Sequence, residues 1–138
     1  MVGMILVRDV MSKDVKVVQP NSSVREVAAK MNKFNIGSIV VVQGEKPVGV
    51  ISERDILRRV VEPCLSPEAL TARQVMTSPV VTINETASIE EAAKLMAKKK
   101  VRKIPVMNEQ KLVGIVTFTD IVNKVLTTIS ILEELAKP

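Results

Sequence analysis

Gly49-Val50-Ile51-Ser52-Glu53-Arg54-Asp55-Ile56 recurs 65 residues later as Gly114-Ile115-Val116-Thr117-Phe118-Thr119-Asp120-Ile121. Each stretch leaves a β-rich segment through a glycine, two aliphatics and a hydroxyl residue, and reaches an aspartate that opens a helix. The match extends outward without a gap: residues 7 to 61 fall on 72 to 126, and 17 of the 55 aligned pairs are identical. Val10-Met11 falls on Val75-Met76, and Val48-Gly49 on Val113-Gly114. A duplicated supersecondary unit often cannot cover its own apolar face until a copy packs against it. The repeat therefore predicts two half-domains in one globule, 7–61 and 72–126, with a linker over 62–71 and a helical extension over 127–138. Function is expected where equivalent loops of the two copies meet around a pseudo-twofold axis.

Each copy reads as strand, helix, strand, strand, helix, which makes the fold class mixed α/β (α+β). In the first copy Val15 to Val18 alternates as a short strand and Pro20-Asn21-Ser22 turns the chain. Ser23 with Glu26 three residues on is a capping-box pattern. Val24, Val27, Ala28 and Met31 then follow at helical spacing and predict a buried stripe. The second copy repeats this with Ser88 and Glu91, then Ile89, Ala92, Ala93 and Met96. Ile39 to Val42 and Val48 to Ser52 read as a hairpin, as do Ile104 to Met107 and Leu112 to Thr117. Each hairpin runs into a second helix, Glu53 to Val61 and Phe118 to about Leu135.

The 138 residues carry 46% apolar side chains, only two phenylalanines, one cysteine, no histidine and a net charge of +5. That length suits one compact domain with an aliphatic core. No apolar run reaches the roughly 18 residues of a membrane span, and Arg8 interrupts the opening Met4-Ile5-Leu6-Val7 too early for a signal segment; a cytoplasmic protein is expected. One cysteine, Cys64, cannot form an internal disulfide, and without histidine no standard histidine-based metal site can be built. There is no nucleophile paired with a base and no phosphate-cradling Gly-x-x-x-x-Gly-Lys loop, so catalysis is not expected. The positive charge favours anionic partners without choosing among them. It concentrates in Lys98-Lys99-Lys100-Val101-Arg102-Lys103, where the three lysines suit a helix C-terminus.

Two readings of Asp55 and Asp120 stand side by side. Ser/Thr-x-x-Asp is itself a helix start, and an acid in the first turn suits the helix dipole. The first helix of each copy, however, uses glutamate in its box. Aspartate is one methylene shorter, is expected to reach back to the cap less well, and suits a vicinal diol such as the ribose 2′,3′ pair.

The chain resembles the paired cystathionine β-synthase domains (CBS pair, or Bateman module) over residues 7 to 126. The resemblance rests on Asp9-Val10-Met11-Ser12 and Gln74-Val75-Met76-Thr77, the capped first helices, Arg102-Lys103-Ile104-Pro105-Val106, and the two Gly-x-x-Ser/Thr-x-x-Asp joints. It implies a non-catalytic regulatory module that binds adenosine-containing ligands in two clefts between the copies: AMP, ADP or ATP, or else S-adenosylmethionine or NADH. By that analogy one cleft combines Ser52, Arg54 and Asp55 with Pro79, Val80, Val101, Arg102 and Lys103. The other combines Thr117, Thr119 and Asp120 with Asp14, Val15, Ile36, Gly37 and Ser38. Arg54, Arg102 and Lys103 would favour phosphate at the first, since charge-assisted hydrogen bonds contribute about 1.5–3 kcal/mol each. Charge therefore favours the Asp55 cleft as the principal nucleotide site. Val40 stands where the second copy has Pro105, so the first copy's loop departs from the family pattern.

Two rival readings remain. A basic surface could track nucleic-acid phosphates, although single-strand binders rely on aromatic stacking platforms. A structural dimer module is suggested by Ile121, Val122, Val125, Ile129 and Leu132, whose stripe continues beyond the repeat where little core is left to cover; a homodimer is expected. A stand-alone sensor of this kind would act on an effector protein in trans, with occupancy reported by a change of shape.

Overall fold

The structure, a computed structural model, describes residues 5–138; Met4 of the opening apolar run lies outside them. Backbone proximity divides these residues into two compact units, 15–80 and 5–14 with 81–138. Among the described residues no helix is long and apolar enough to cross a membrane.

The 15–80 unit contains β1 (Val17–Val18), α1 (Val24–Phe34), β2 (Ser38–Gln43), β3 (Lys46–Ser52), α2 (Glu53–Ile56) and α3 (Ala72–Val75). Helix α1 starts because the Ser23 hydroxyl accepts the Glu26 amide at 3.1 Å, and it stops at Asn35, whose φ of 51° is left-handed. Asparagine tolerates that conformation better than most residues. The predicted stripe is buried: Val24, Val27 and Met31 pack with Ile39, Val41, Ile51, Val60, Ala72 and Val75. Each of the valine, isoleucine and methionine side chains removed from water contributes about 1.5–3 kcal/mol. The sheet order is β1-β2-β3. β1 lies parallel to β2 with Val17 opposite Val40, as a helical crossover permits. β2 and β3 form the expected hairpin with Val40 opposite Val50. α2 continues without a break into a π-helical turn, Leu57–Val61.

The other unit repeats the plan with β4 (Ile83–Asn84), α4 (Ile89–Lys99), β5 (Lys103–Asn108), β6 (Lys111–Thr117) and α5 (Phe118–Ala136). Its sheet is β4-β5-β6, again parallel then antiparallel. Ile89, Ala92, Met96, Ile104, Val106, Val116 and Ile121 form the core, joined by Val7. Lys98 and Lys99 occupy the last turn of α4, and Lys100, with φ 57°, caps it, so these lysines do face the negative end of the helix dipole. The result is the mixed α+β fold expected from the repeat.

The opening segments are exchanged between copies. Ser12 pairs antiparallel with Ile115 of β6, and Thr77 with Val50 of β3. Ser12 and Ile115 exchange two amide hydrogen bonds of 2.9 Å; those between Thr77 and Val50 measure 2.8 and 3.1 Å. The paired glycines permit this. A Cβ on Gly49 would stand 2.8 Å from Met76 Cγ, and one on Gly114 would stand 2.9 Å from the Ser12 carbonyl oxygen and 3.0 Å from Met11 Cγ. The Val-Met openings and the strand glycines are thus two halves of one packing device, and the compact units are offset from the sequence repeats.

Candidate functional site

In each unit the last strand of the sheet passes directly into a helix, and the joint carries the residues singled out in the sequence. At the first joint the Ser52 hydroxyl accepts the Asp55 amide at 3.1 Å. Asp55 Oδ2 in return accepts the Ser52 amide at 2.8 Å and the Ser52 hydroxyl at 3.0 Å. Asp55 Oδ1 accepts a 2.9 Å bond from the Thr77 hydroxyl. At the second joint the Thr117 hydroxyl accepts the Asp120 amide at 3.1 Å, and Asp120 Oδ2 accepts the Thr117 amide at 2.9 Å.

Both aspartates therefore close full capping boxes, which corrects the expectation that the shorter acid would reach back poorly. In this geometry the short side chain brings Oδ2 onto the cap amide, while Oδ1 accepts from Thr77 at Asp55 and stays outside the cap at Asp120. Capping and ligand binding are not exclusive, because an ionised carboxylate offers about four lone-pair sites and the cap of Asp120 uses one oxygen.

The sequence-predicted residues are distributed over both units. Ser52, Arg54, Asp55, Pro79 and Val80 lie in the 15–80 unit together with Val15, Ile36, Gly37 and Ser38. Thr117, Thr119, Asp120 and Asp14 lie in the other, together with Val101, Arg102 and Lys103. Within the first unit Ser38 is the cross-strand partner of Ser52, and the Glu53 amide donates to the Gly37 carbonyl at 3.0 Å. Within the second, Lys103 is opposite Thr117, and the Phe118 amide donates to the Arg102 carbonyl at 2.8 Å. Arg54 and Thr119 are exposed on the first turns of their helices.

The two corners differ in their side chains. Arg102 stacks its guanidinium over Phe118, 4.5 Å from the ring centroid, a cation–π contact that contributes about 0.5–1 kcal/mol at an exposed site. The equivalent positions in the first copy are Gly37 and Glu53. There a cleft of about 410 Å³ opens, lined by Met31, Asn35, Gly37, Glu53, Ile56 and Leu57 among others. Burial lowers the pKa of the Lys103 ammonium, because desolvation disfavours the charged form.

Thr77 was not among the predicted site residues. Its signal in the sequence was its place after Val75-Met76, the segment that the glycines hold against the joint. Arg59 reinforces that placement, donating to the Val75 and Met76 carbonyls at 2.9 and 2.6 Å.

Comparison with known proteins places this geometry in a family. The chain is 39% identical over 117 residues to the uncharacterized protein MK0525 of Methanopyrus kandleri, covering 83% of this chain and 60% of that protein, so it spans less than two thirds of that relative. It is 33% identical over 115 residues to the CBS domain-containing protein YhcV of Bacillus subtilis, covering 83% of this chain and 81% of that one. Among solved structures, the CBS domain pair of protein MJ0100 in complex with 5′-methylthioadenosine and S-adenosyl-L-methionine is 29% identical with a TM-score of 0.79, covering 91% of this chain and 98% of that one. The CBS domain model itself matches twice, over residues 7–62 and 72–127. With both halves of its duplicated sequence matched, the chain belongs to the CBS domain family, of which it carries a tandem pair.

Proposed function

We propose that the protein is a non-catalytic regulatory module of the cytoplasm that binds an adenosine-containing ligand through the carboxylates of its two joints. The observation that carries this reading is the pre-set orientation of Asp55 and Asp120. Each is locked by its own cap at the foot of a helix, so it can accept a sugar diol without first losing side-chain freedom. Such preorganisation lowers the cost of binding. The adenosyl compounds in the MJ0100 pair support the ligand class. AMP, ADP, ATP, S-adenosylmethionine and NADH share the diol, and the basic residues Arg54, Arg102 and Lys103 favour those that carry phosphate.

Calorimetric titration with these five compounds tests the reading. Asp55→Asn and Asp120→Asn keep an oxygen for the cap but replace an acceptor with a donor, so affinity at the altered joint should drop by about tenfold or more per lost charge-assisted bond. Absence of binding by all five compounds, or affinity untouched in the double variant, refutes it.

A homodimer is the second element of the proposal. Leu126, Ile129 and Leu132 on α5 are 58%, 46% and 54% exposed, an apolar row that a second copy would cover. Occupancy would then reach an effector protein in trans through a change in the shape of the dimer. That coupling requires a ligand with unequal affinities for two conformations. Small-angle scattering at saturating AMP or ATP should differ from the ligand-free profile; superimposable profiles would exclude the signalling step.

A further inference from the structure

The two joints differ by two hydrogen bonds: the Ser52 hydroxyl donates to Asp55 Oδ2 and the Thr77 hydroxyl to Asp55 Oδ1, and among the described residues Asp120 has the counterpart of neither. The second difference traces to one residue. Both oxygens of Asp55 are engaged, Oδ2 by Ser52 and Oδ1 by the Thr77 hydroxyl at 2.9 Å. The residue equivalent to Thr77 is Ser12, whose backbone pairs with Ile115 as that of Thr77 pairs with Val50. The Ser12 hydroxyl nevertheless turns the other way and accepts the Asp14 amide at 3.3 Å. Among the described residues only the Thr117 amide donates to the Asp120 carboxylate, at Oδ2, so Asp120 Oδ1 is an open acceptor.

The cause is visible in the sequence. A serine or threonine hydroxyl commonly takes the amide two residues on. Asp14 supplies that amide to Ser12, but its counterpart is Pro79, which has no N–H. Without that amide to hold its oxygen in place, the Thr77 side chain can take the rotamer that carries its hydroxyl to Asp55 Oδ1, and β-branching leaves it few others.

We propose that Thr77, set by Pro79, is a positioning residue that latches Asp55 and leaves Asp120 as the receptive joint of the pair. The proposal rests on the diol reading above and orders the two joints. A diol arriving at Asp120 Oδ1 fills an open acceptor. A diol arriving at Asp55 Oδ1 competes with a hydroxyl already there, exchanging one hydrogen bond for another. The order is opposite to the one charge alone would give, since the basic residues were assigned to the Asp55 cleft.

Two measurements on the full chain test the proposal, one of them free of ligand. In thermal unfolding, a double-mutant cycle of Thr77→Val with Asp55→Asn should be non-additive by about 3 °C, the shift expected of one hydrogen bond in a domain of this size. The matching cycle of Ser12→Ala with Asp120→Asn should be additive. Additivity in the first cycle, or coupling of equal size in both, overturns the latch. In titrations with AMP and with S-adenosylmethionine, Asp120→Asn should abolish the tighter binding event while Asp55→Asn leaves it in place. Thr77→Val should raise affinity at the Asp55 joint by about two- to tenfold, whereas Thr77→Ser, which keeps the hydroxyl beside Pro79, should behave as the wild type. Loss of the tighter event in Asp55→Asn, or no change in Thr77→Val, overturns the ordering. A coupled first cycle in a chain that binds neither probe would retain the latch and remove the diol reading, so the two failures are distinct.

Discussion

Adding one methyl group to either strand glycine should separate the two halves of the packing device, and the two positions should respond unequally. The three atoms nearest a Cβ at Gly49 all belong to the Met76 side chain: its sulfur, the Cγ at 2.8 Å and the Cβ at 3.0 Å. The methionine sulfur and Cγ can swing aside by rotation while the Cβ contact needs only a small backbone shift, so Gly49→Ala should cost about 1–2 kcal/mol, the lower part of the usual range for overpacking. At Gly114 the new Cβ meets the Ser12 carbonyl oxygen at 2.9 Å as well as Met11. Backbone must then move, and Ser12 and Ile115 exchange two hydrogen bonds of 2.9 Å there. Loss of one adds about 0.5–1.5 kcal/mol, for a total of about 1.5–3.5 kcal/mol. The reduced entropy of the unfolded chain returns up to about 1 kcal/mol in both variants and leaves the difference intact. At roughly 4 °C per kcal/mol for a chain of this length, Gly114→Ala should melt several degrees below Gly49→Ala in a circular-dichroism scan. Met76→Ala should relieve most of Gly49→Ala, leaving the 3.0 Å contact with Cβ, whereas Met11→Ala should relieve a smaller part of Gly114→Ala. Equal melting temperatures for the two variants, or full relief of Gly114→Ala by Met11→Ala, would refute the assignment of the second clash to backbone.

Three further expectations follow from the same structure. Ser23→Ala and Ser88→Ala each remove an N-cap bond of 3.1 Å and should each cost about 1 kcal/mol in urea unfolding, with the double variant close to the sum because the caps share no partner. Burial holds Lys103 below its ordinary 10.5, so between the lowered value and 10.5 the unfolded chain binds more protons than the native one and stability should rise with pH; Lys103→Met should remove that rise, read as the wild-type-minus-variant difference in urea midpoints up to pH 10.5. Deletion of the residues after Leu126 removes the exposed Ile129 and Leu132 and should give a monomer by light scattering; a persistent dimer would place the interface elsewhere.

Much of the fold was legible because its signals are local and occur twice. Ser23 with Glu26 and Ser88 with Glu91 mark helix starts, and the stripes ending at Met31 and Met96 mark buried faces; both helices start as read, though only the serine half of each box forms, and Ala28 and Ala93 of the stripes are half-buried. The short helix Ala72–Val75 was not legible, because four residues are too few to show a period. The exchange of openings was hidden for a different reason. In a duplicated chain each local pattern has two equally good partners, so Met11 could pack on Gly49 or on Gly114. Periodicity cannot choose between them; the chain path does. At the joints the residue types were legible and their hydrogen bonds were not, since a carboxylate at the first turn has the same sequence pattern whether it closes a cap, meets a threonine or waits for a ligand.

The divergence of the copies is confined to a few side chains on a shared frame. The frame is constrained because Gly49, Gly114, Met11 and Met76 leave no space for change, and Val-Met and the strand glycines are accordingly the same in both copies. Rim positions carry no such constraint, and there the copies part: Gly37 and Glu53 against Arg102 and Phe118, Pro79 against Asp14. None of these substitutions alters a strand register, since β2–β3 and β5–β6 pair in step down to the same shift after Val41 and Val106. Each alters what a joint presents instead. One copy keeps an open cleft beside the Glu53 carboxylate where the other stacks a guanidinium on a ring, and one aspartate is held by a hydroxyl where the other, among the described residues, accepts at one oxygen alone. A fold that fixes its backbone through close glycine–methionine contacts can thus make two chemically different joints from one repeated plan, so each should be assayed through its own aspartate.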